Sequence, residues 1–294
     1  MTGYRSPFVS WERSAGVRGF AWDEDAQGDE GQWLPLGYFA GTGHCSVDRA
    51  AFRGTTGAAL LLGYLHFTKR LESELIGPVC SRLAAQAPSG QEELSRDAVM
   101  LQVDESFHAL LCMQLSAYVS ARSGLAAPAF GEPRFLRHVR ELRAALAGAV
   151  PEDQVDFAAA VVAETIVTRT LAEDWRDSAV RPRVRAFLKV HHCDEARHGA
   201  FFSQALALCW RQWPDQVRAA VASAWDGLVD AFAAPDLDMI AVAMRAAGNE
   251  EDSVVEVVER LREGSKAIGA HADSRLSRRA LDLAQAGAVR EVAA

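Results

Sequence analysis

The sequence has no pair of cysteines in a C-x-x-C arrangement, and its cysteines are few and scattered: Cys45, Cys80, Cys112, Cys193 and Cys209. The absence of such pairs excludes a rubredoxin-type iron domain, in which the iron is held by cysteine thiolates. An odd, dispersed set without an N-terminal export signal is typical of reduced thiols, so we expect a cytoplasmic protein. We interpret Cys112 and Cys193, which lie within helical segments, as small packing residues.

The chain also lacks long apolar runs and a basic surface stripe. No segment approaches the ~18 consecutive apolar residues that a membrane-spanning helix needs. The net charge is −8 and the pI is near 5.5, which argues against nucleic acid as the main partner. We therefore expect neither a membrane span nor a nucleic-acid interface.

Three catalytic signatures are missing as well. No H-E-x-x-H zinc motif and no G-x-S-x-G nucleophile elbow occurs, which disfavours zinc proteases and serine hydrolases. No glycine-rich dinucleotide fingerprint is evident, so any reducing electrons must come from outside the chain.

Helix-forming residues, mainly Ala and Leu, dominate from about residue 55 onward. Periodicity and Pro/Gly punctuation predict an all-α fold with four long helices, of which Gly77-Pro78 should kink or interrupt the first. The length of 294 residues suits one domain with a loop-rich arm, a metal-binding bundle and accessory helices. These parts are predicted at 1–50, 55–212 and 213–294. The long helices are predicted at about 58–85, 89–121, 151–178 and 182–212, and the shorter ones at 133–147, 215–233, 236–247, 250–265 and 274–287.

One short pattern occurs twice, each time inside a predicted long helix. The first copy is Asp104-Glu105-Ser106-Phe107-His108 and the second is Asp194-Glu195-Ala196-Arg197-His198. A Glu and a His three residues apart share one face of a helix, because 3.6 residues make one turn. Each copy can therefore bind a metal ion, as in the four-helix bundles that hold a pair of metals with carboxylates.

Three further residues complete the candidate ligand set. His191 precedes Glu195 by one turn and lies on the same helix face. Glu164 is a single acid within an apolar run, which predicts a partner across the bundle. The first long helix offers Glu72 or Glu74. Glu72 is favoured because it lies on the same helix face as the apolar stripe.

Four carboxylates and three neutral imidazoles balance the charge of two divalent ions, which suits a buried site. This mixture of oxygen and nitrogen ligands favours iron or manganese over soft metals. Asp104 and Asp194 have two open interpretations. Each either accepts a hydrogen bond from a ligand His of the facing helix, or is a solvated acid on the helix flank.

The ordered set Glu, Glu-x-x-His, Glu, His-x-x-x-Glu-x-x-His resembles the ferritin-like di-iron N-oxygenases, the p-aminobenzoate N-oxygenase family. The additional imidazole, here His191, distinguishes this family from ferritins and acyl-carrier desaturases, which typically lack it. The stretch Leu71-Glu72-x-x-Leu75-Ile76-Gly77-Pro78 is also similar to the family's first ligand helix. The resemblance covers about residues 55–210.

The resemblance implies a ferritin-like four-helix bundle with additional N- and C-terminal helices. It also implies two iron ions, O2 as co-substrate, and an external reductase or ferredoxin as electron donor. A peroxo-bridged diferric species would oxidise an arylamine, or an amino-bearing natural-product intermediate, to hydroxylamine, nitroso or nitro products. Family members usually form homodimers and act in natural-product biosynthesis.

Two other functions remain open at this point. The same metal site could act on carbon as a hydroxylase, desaturase or oxidative decarboxylase. An iron-binding or storage protein is less favoured, because about 80 residues follow the last ligand helix, beyond what a bundle needs. The substrate is not revealed, but we expect these residues to face the metals: Thr68, Cys112, Phe157, Thr168 and Phe202.

Overall fold

The computed structural model describes residues 4–22, 30–35, 53–86, 90–268 and 275–292. Within these ranges the chain forms twelve α-helices and one π-helical turn. The α-helices are α1 (Trp11–Ser14), α2 (Gly16–Gly19), α3 (Thr55–Leu71), α4 (Gly77–Gln86), α5 (Glu92–Ser123), α6 (Arg134–Ala145), α7 (Glu152–Asp174), α8 (Pro182–Trp210), α9 (Asp215–Ala233), α10 (Leu237–Ala246), α11 (Glu251–Ile268) and α12 (Arg275–Val292).

The described residues contain no β-strand, and one isolated bridge joins Gln32 to Val180. The predicted all-α class is therefore confirmed. The four long predicted helices correspond to α3 with α4, then α5, α7 and α8. Helices α3 and α4 pack on α5, α7 packs on α8, and α5 also contacts α8. These contacts build the four-helix bundle.

The ends of the helices follow local chemistry. Helix α5 ends at Ser123 and is followed by Gly124, which adopts the left-handed conformation with φ of 74°, as glycine does readily beyond a helix. Helix α8 begins at Pro182, whose fixed φ suits a first helical position and whose missing N–H costs nothing there. Both boundaries were predictable from the sequence.

The predicted interruption of the first long helix takes the form of a π-helical turn over Glu72–Ile76. The N–H of Gly77 donates to the carbonyl oxygen of Glu72, five residues earlier, in place of the α-helical bond. Pro78 has no N–H to donate, so an α-helical ladder could not continue unbroken through this point. A Cβ atom on Gly77 would lie 3.0 Å from the Glu72 carbonyl oxygen, which favours glycine here.

The buried apolar residues form two clusters at different levels of the bundle. One includes Leu75, Leu101 and Phe202, and the other includes Leu65, Leu115 and Phe187. On α5 and α8, the candidate metal residues lie between residues of one cluster and residues of the other. A polar layer is therefore enclosed between two apolar layers, which keep water from it.

Two surface features complete the fold. Among the residues described, none of the helices combines the length and apolarity required to cross a bilayer. Cys193 is exposed whereas Cys112 is buried, so the interpretation of Cys193 as a packing residue is wrong. Position 193 lies on the opposite side of α8 from the inward-facing positions 191, 194, 195 and 198.

Candidate metal centre

The bundle brings seven acidic and imidazole side chains to one buried place. We call them the Glu/His cluster: Glu72, Glu105, His108, Glu164, His191, Glu195 and His198. Each is at most 3% exposed. They form three overlapping groups in which one potential ligand atom from every member lies within 4.8 Å of the others. All seven candidate ligands therefore face the same polar layer.

Two histidines lie within hydrogen-bonding distance of acids of the Glu/His cluster. The Nδ1 atom of His198 lies 2.7 Å from Oε1 of Glu105, and Nε2 of His191 lies 2.9 Å from Oε1 of Glu195. His191 also lies 3.5 Å from Glu72, and its ring centroid is 4.4 Å from that of His108. The imidazole one turn upstream of the second motif thus lies among the acids, as its spacing predicts.

The structure separates the two acids of the first ligand helix. Glu72 begins the π-helical turn and is buried in the Glu/His cluster. Glu74 is at the surface, where Arg70 donates two hydrogen bonds to it at 2.5 and 2.6 Å. The choice of Glu72 over Glu74 therefore agrees with the geometry.

The aspartates that precede the two motif glutamates are placed crosswise. Oδ2 of Asp194 lies 3.2 Å from Nε2 of His108, and Oδ2 of Asp104 lies 3.3 Å from Nε2 of His198. Both aspartates are 0% exposed, so neither is a solvated acid. An ionised carboxylate only accepts hydrogen bonds, so Nε2 of each His must donate, and Nδ1 faces the cluster.

Three partners of these aspartates were not predicted from the sequence. The indole N–H of Trp11 donates to both oxygens of Asp104, at 2.9 and 3.0 Å. The backbone N–H of Gly16 donates to Asp194, at 3.2 and 3.1 Å. Arg197 donates to Asp194 and lies 3.8 Å from Asp104. Only Arg197 carried a local signal, because it follows Asp194 by one helical turn.

The pKa values of the four buried glutamates shift in opposite directions. Burial, followed by repulsion from neighbouring carboxylates, raises the pKa of Glu72 and of Glu164 well above the usual value. Burial acts the same way on Glu105 and Glu195, but the charge of His198 outweighs it and lowers the pKa of both. The cluster therefore favours the protonated form of two acids and the ionised form of the other two.

The histidines divide in a similar way. Burial alone would lower the pKa of His108, but hydrogen bonds with Asp194 and Glu105 outweigh it and raise the pKa to about 10. For His198, burial is outweighed by the charges of Glu105 and Glu195, and the pKa rises well above its usual value. Burial and repulsion from His108 lower the pKa of His191. The cluster thus attracts positive charge, as a cation site should.

The donor set fits a pair of metal ions. One carboxylate oxygen of Glu72 is buried without a hydrogen bond from any described residue, and Nε2 of His191 lies among carboxylates, 2.9 Å from Glu195 and 3.5 Å from Glu72. A buried polar atom without a partner is costly, and a cation bound by these atoms removes that cost. Buried carboxylates with imidazoles suit iron or manganese, and four ionised carboxylates balance two divalent ions.

The predicted pocket residues do not lie together. The rings of Phe157 and Phe202 are neighbours, with centroids 6.2 Å apart, in the apolar cluster around Leu101. Cys112 belongs to the other apolar cluster. Thr68 is buried on α3, and the side chain of Thr168 is outside the described residues. The five positions therefore do not form one wall, and their contact with a substrate stays a prediction.

Two comparisons with known proteins bear on this arrangement. A family model described as P-aminobenzoate N-oxygenase AurF matches residues 22–275. A protein named 4-aminobenzoate N-oxygenase from Streptomyces thioluteus is 28% identical over 166 residues, which are 55% of this chain and 48% of that protein. The match thus spans about half the length of this curated relative. The family match includes all seven residues of the Glu/His cluster.

Proposed function

This chain belongs to the p-aminobenzoate N-oxygenase family, and from that membership we propose that it is an O2-dependent di-iron oxygenase of aromatic amines. The observation that carries the proposal is the Glu/His cluster, in which four glutamates and three histidines are buried together. The name of the relative from Streptomyces thioluteus supports an arylamine as the substrate class.

In this proposal the seven side chains of the Glu/His cluster hold two iron ions. When bound, the ions supply the redox chemistry that activates O2. Conversion of an amine to a hydroxylamine consumes one O2, two electrons and two protons, and releases one water. The two electrons come from an external reductase or ferredoxin, and further turnover would give nitroso or nitro products. By the same family relationship, we propose a homodimer in natural-product biosynthesis.

The residues of the chain have distinct tasks in this scheme. Asp104 and Asp194 orient His198 and His108 through Nε2, so that the Nδ1 lone pairs face the metals. The two apolar clusters exclude bulk water, which protects a reactive oxygen species from unproductive decay. The aromatic pair Phe157 and Phe202 offers an apolar surface suited to an aromatic ring.

The test is a turnover experiment with labelled oxygen. Protein loaded anaerobically with Fe(II) is mixed with 18O2, a chemical electron donor and p-aminobenzoate, with benzoate lacking the amine as a parallel substrate. Mass spectrometry should find 18O on the nitrogen of p-aminobenzoate or of another arylamine in a panel. A phenol that retains its amine would instead assign the site to carbon chemistry, and no oxygenated amine at all would contradict the proposal.

Glu72 and Glu74 provide a matched pair of variants. Glu72→Gln removes a buried charged ligand candidate and should lose bound iron and oxygenated product together. Glu74→Gln removes a surface acid paired with Arg70 and should keep both. Equal loss in the two variants would contradict the assignment of Glu72 to the metal centre.

A further inference from the structure

The N-terminal segment 4–22, here called the arm segment, is bound to the helices that carry both motifs. Its helix α2 contacts α5 and α8. The hydroxyl of Tyr4 donates to Asp97 on α5 at 2.8 Å, and Gln204 on α8 exchanges two 3.0 Å hydrogen bonds with the backbone of Arg5. The sequence predicted only a loop-rich arm in this region, without a role at the site.

Two hydrogen-bonded chains run from the arm segment to the Glu/His cluster. In the first, Trp11 donates to Asp104, which lies 3.3 Å from Nε2 of His198. In the second, the N–H of Gly16 donates to Asp194, which lies 3.2 Å from Nε2 of His108. Each of these two series of hydrogen bonds ends at the His of one motif, so the arm segment contacts both copies of the motif in the same way.

Residue 16 must be glycine for the second chain to form. A Cβ atom there would lie 2.3 Å from Cγ2 of Val190 and 2.7 Å from Oδ2 of Asp194. Both distances are far inside van der Waals contact, so a side chain would displace either the arm or the carboxylate. The close approach brings the backbone N–H of Gly16 within hydrogen-bonding distance of Asp194.

The arm segment also touches a cluster histidine directly. Phe8 is 3% exposed and stacks on the ring of His198, with centroids 6.2 Å apart and planes 18° from parallel. Trp11 is 8% exposed, so its bond to Asp104 is shielded from water. A shielded hydrogen bond between an indole and a carboxylate orients the acceptor more firmly than a solvated one.

We infer that the arm segment is an integral part of the metal centre, with Trp11 and Gly16 as positioning residues that hold Asp104 and Asp194 against His198 and His108. This inference rests on the proposed function, because it requires that the two histidines bind metal. The arm's contribution is to retention of the ions: loss of a hydrogen bond that orients a ligand His typically costs about 10- to 100-fold in metal affinity.

Release of iron to a chelator tests the inference without recourse to enzymatic activity. Wild-type protein, Trp11→Phe and the control Trp22→Phe are loaded anaerobically with Fe(II) and challenged with ferrozine. Trp22 lies in the same segment and is partly buried, and its indole N–H donates to Gln114 in a solvent-exposed hydrogen bond. Trp11→Phe should release iron about 10-fold faster or more, and Trp22→Phe should match the wild type.

A second pair of variants and a second readout separate positioning from folding. Gly16→Ala should behave like Trp11→Phe, whereas Gly19→Ala, which meets no atom within 4 Å, should not. A positioning role predicts that the rise in Tm on iron binding shrinks, and a merely structural role predicts that the Tm of the metal-free protein falls with that rise preserved.

The outcomes are distinguishable from failure of the proposed function. A wild-type protein that retains no iron would refute the di-iron proposal itself. Iron retention in the wild type, with release from Trp11→Phe at the wild-type rate, would refute the role of the arm segment. Equal acceleration in Trp11→Phe and Trp22→Phe would refute it too, because general packing of the arm would then explain the effect.

Discussion

Metal binding to the Glu/His cluster should release protons, because several groups of the cluster have raised pKa values. The pKa of His108 is raised to about 10, and the pKa values of His198, Glu72 and Glu164 are raised well above their usual values, which favours the protonated form of each. Ligands must be deprotonated to bind, so entry of the metals displaces protons from these groups to the solvent.

The magnitude can be worked out at pH 7. The pKa of His108 is raised to about 10, so this imidazole is ~99.9% protonated at neutral pH. His108 therefore accounts for one released proton, and the raised pKa values of His198, Glu72 and Glu164 add to the release in the same direction. Apparent metal affinity should consequently rise with pH, by roughly 10-fold per pH unit for each proton released.

The assay is an anaerobic Fe(II) titration in weakly buffered solution with a pH indicator, checked by calorimetry in buffers of different ionisation enthalpy. A His66→Gln variant is the control, because His66 is half-buried outside the cluster and hydrogen-bonds the carbonyl of Gly131. The number of protons that this variant releases on metal binding should equal that of the wild type. Release of less than one proton per chain would refute the reasoning.

Protonation of these buried groups also makes the free energy of unfolding of the metal-free protein depend on pH. The pKa of His108 is raised from 6.5 to about 10 on folding. Its contribution to the free energy of unfolding is therefore fully present below pH 6.5 and is lost as the pH rises through about 10. The buried acids Glu72 and Glu164, whose pKa values are also raised, act in the same direction. Denaturant titrations should show the metal-free protein less stable at pH 9 than at pH 6.

Three substitutions test other parts of the account. His191→Ala removes an imidazole that is 2% exposed. The variant should lose amine oxygenation and bind iron more weakly, while its circular dichroism spectrum stays helical. Full activity would show that His191 is not a ligand. Gly77→Ala places a Cβ 3.0 Å from the carbonyl of Glu72, and denaturant unfolding should show a loss of about 1–3 kcal/mol; unchanged stability would contradict the strain argument. Gly227→Ala, on α9 with its nearest neighbour at 3.7 Å, should stabilise by up to ~1 kcal/mol in the same assay, and destabilisation would contradict it.

Local patterns were sufficient to predict the helices and the convergence of the cluster. The segments 215–233 and 182–212 correspond closely to α9 and α8, because Pro214 and Pro182 mark helix starts unambiguously. The inward positions of Glu105, His108 and His198 follow from helical phase alone. A buried acid in an apolar run, such as Glu164, could be recognised for the same reason.

Such local patterns could not predict contacts between residues that are far apart in the sequence. Trp11 is 93 residues from Asp104, and Gly16 is 178 residues from Asp194. The arm has weak periodicity, so nothing in its local sequence indicates which face of the bundle it contacts. The π-helical turn was anticipated only as a kink at Gly77-Pro78, because the sequence shows that a hydrogen bond must be lost but not how the backbone restores the others.

The exposure of Cys193 illustrates a related limit. Neighbouring positions on α8 alternate between cluster and solvent within a few residues, and His191 and Asp194 point inward on either side of it. An apolar residue type does not by itself decide burial, since many apolar atoms remain at protein surfaces. Only the phase of the helix, counted from His191 and Glu195, places Cys193 outside.

The most direct test of the central claim is the number and coupling of the irons in the loaded protein. Anaerobic loading with Fe(II), removal of excess metal and exposure to O2 should leave two irons per chain. Mössbauer and electron paramagnetic resonance spectra should show one spin-coupled pair of ferric ions. Fewer than two irons per chain, or isolated high-spin ferric signals that account for all the iron, would contradict a di-iron centre in the Glu/His cluster.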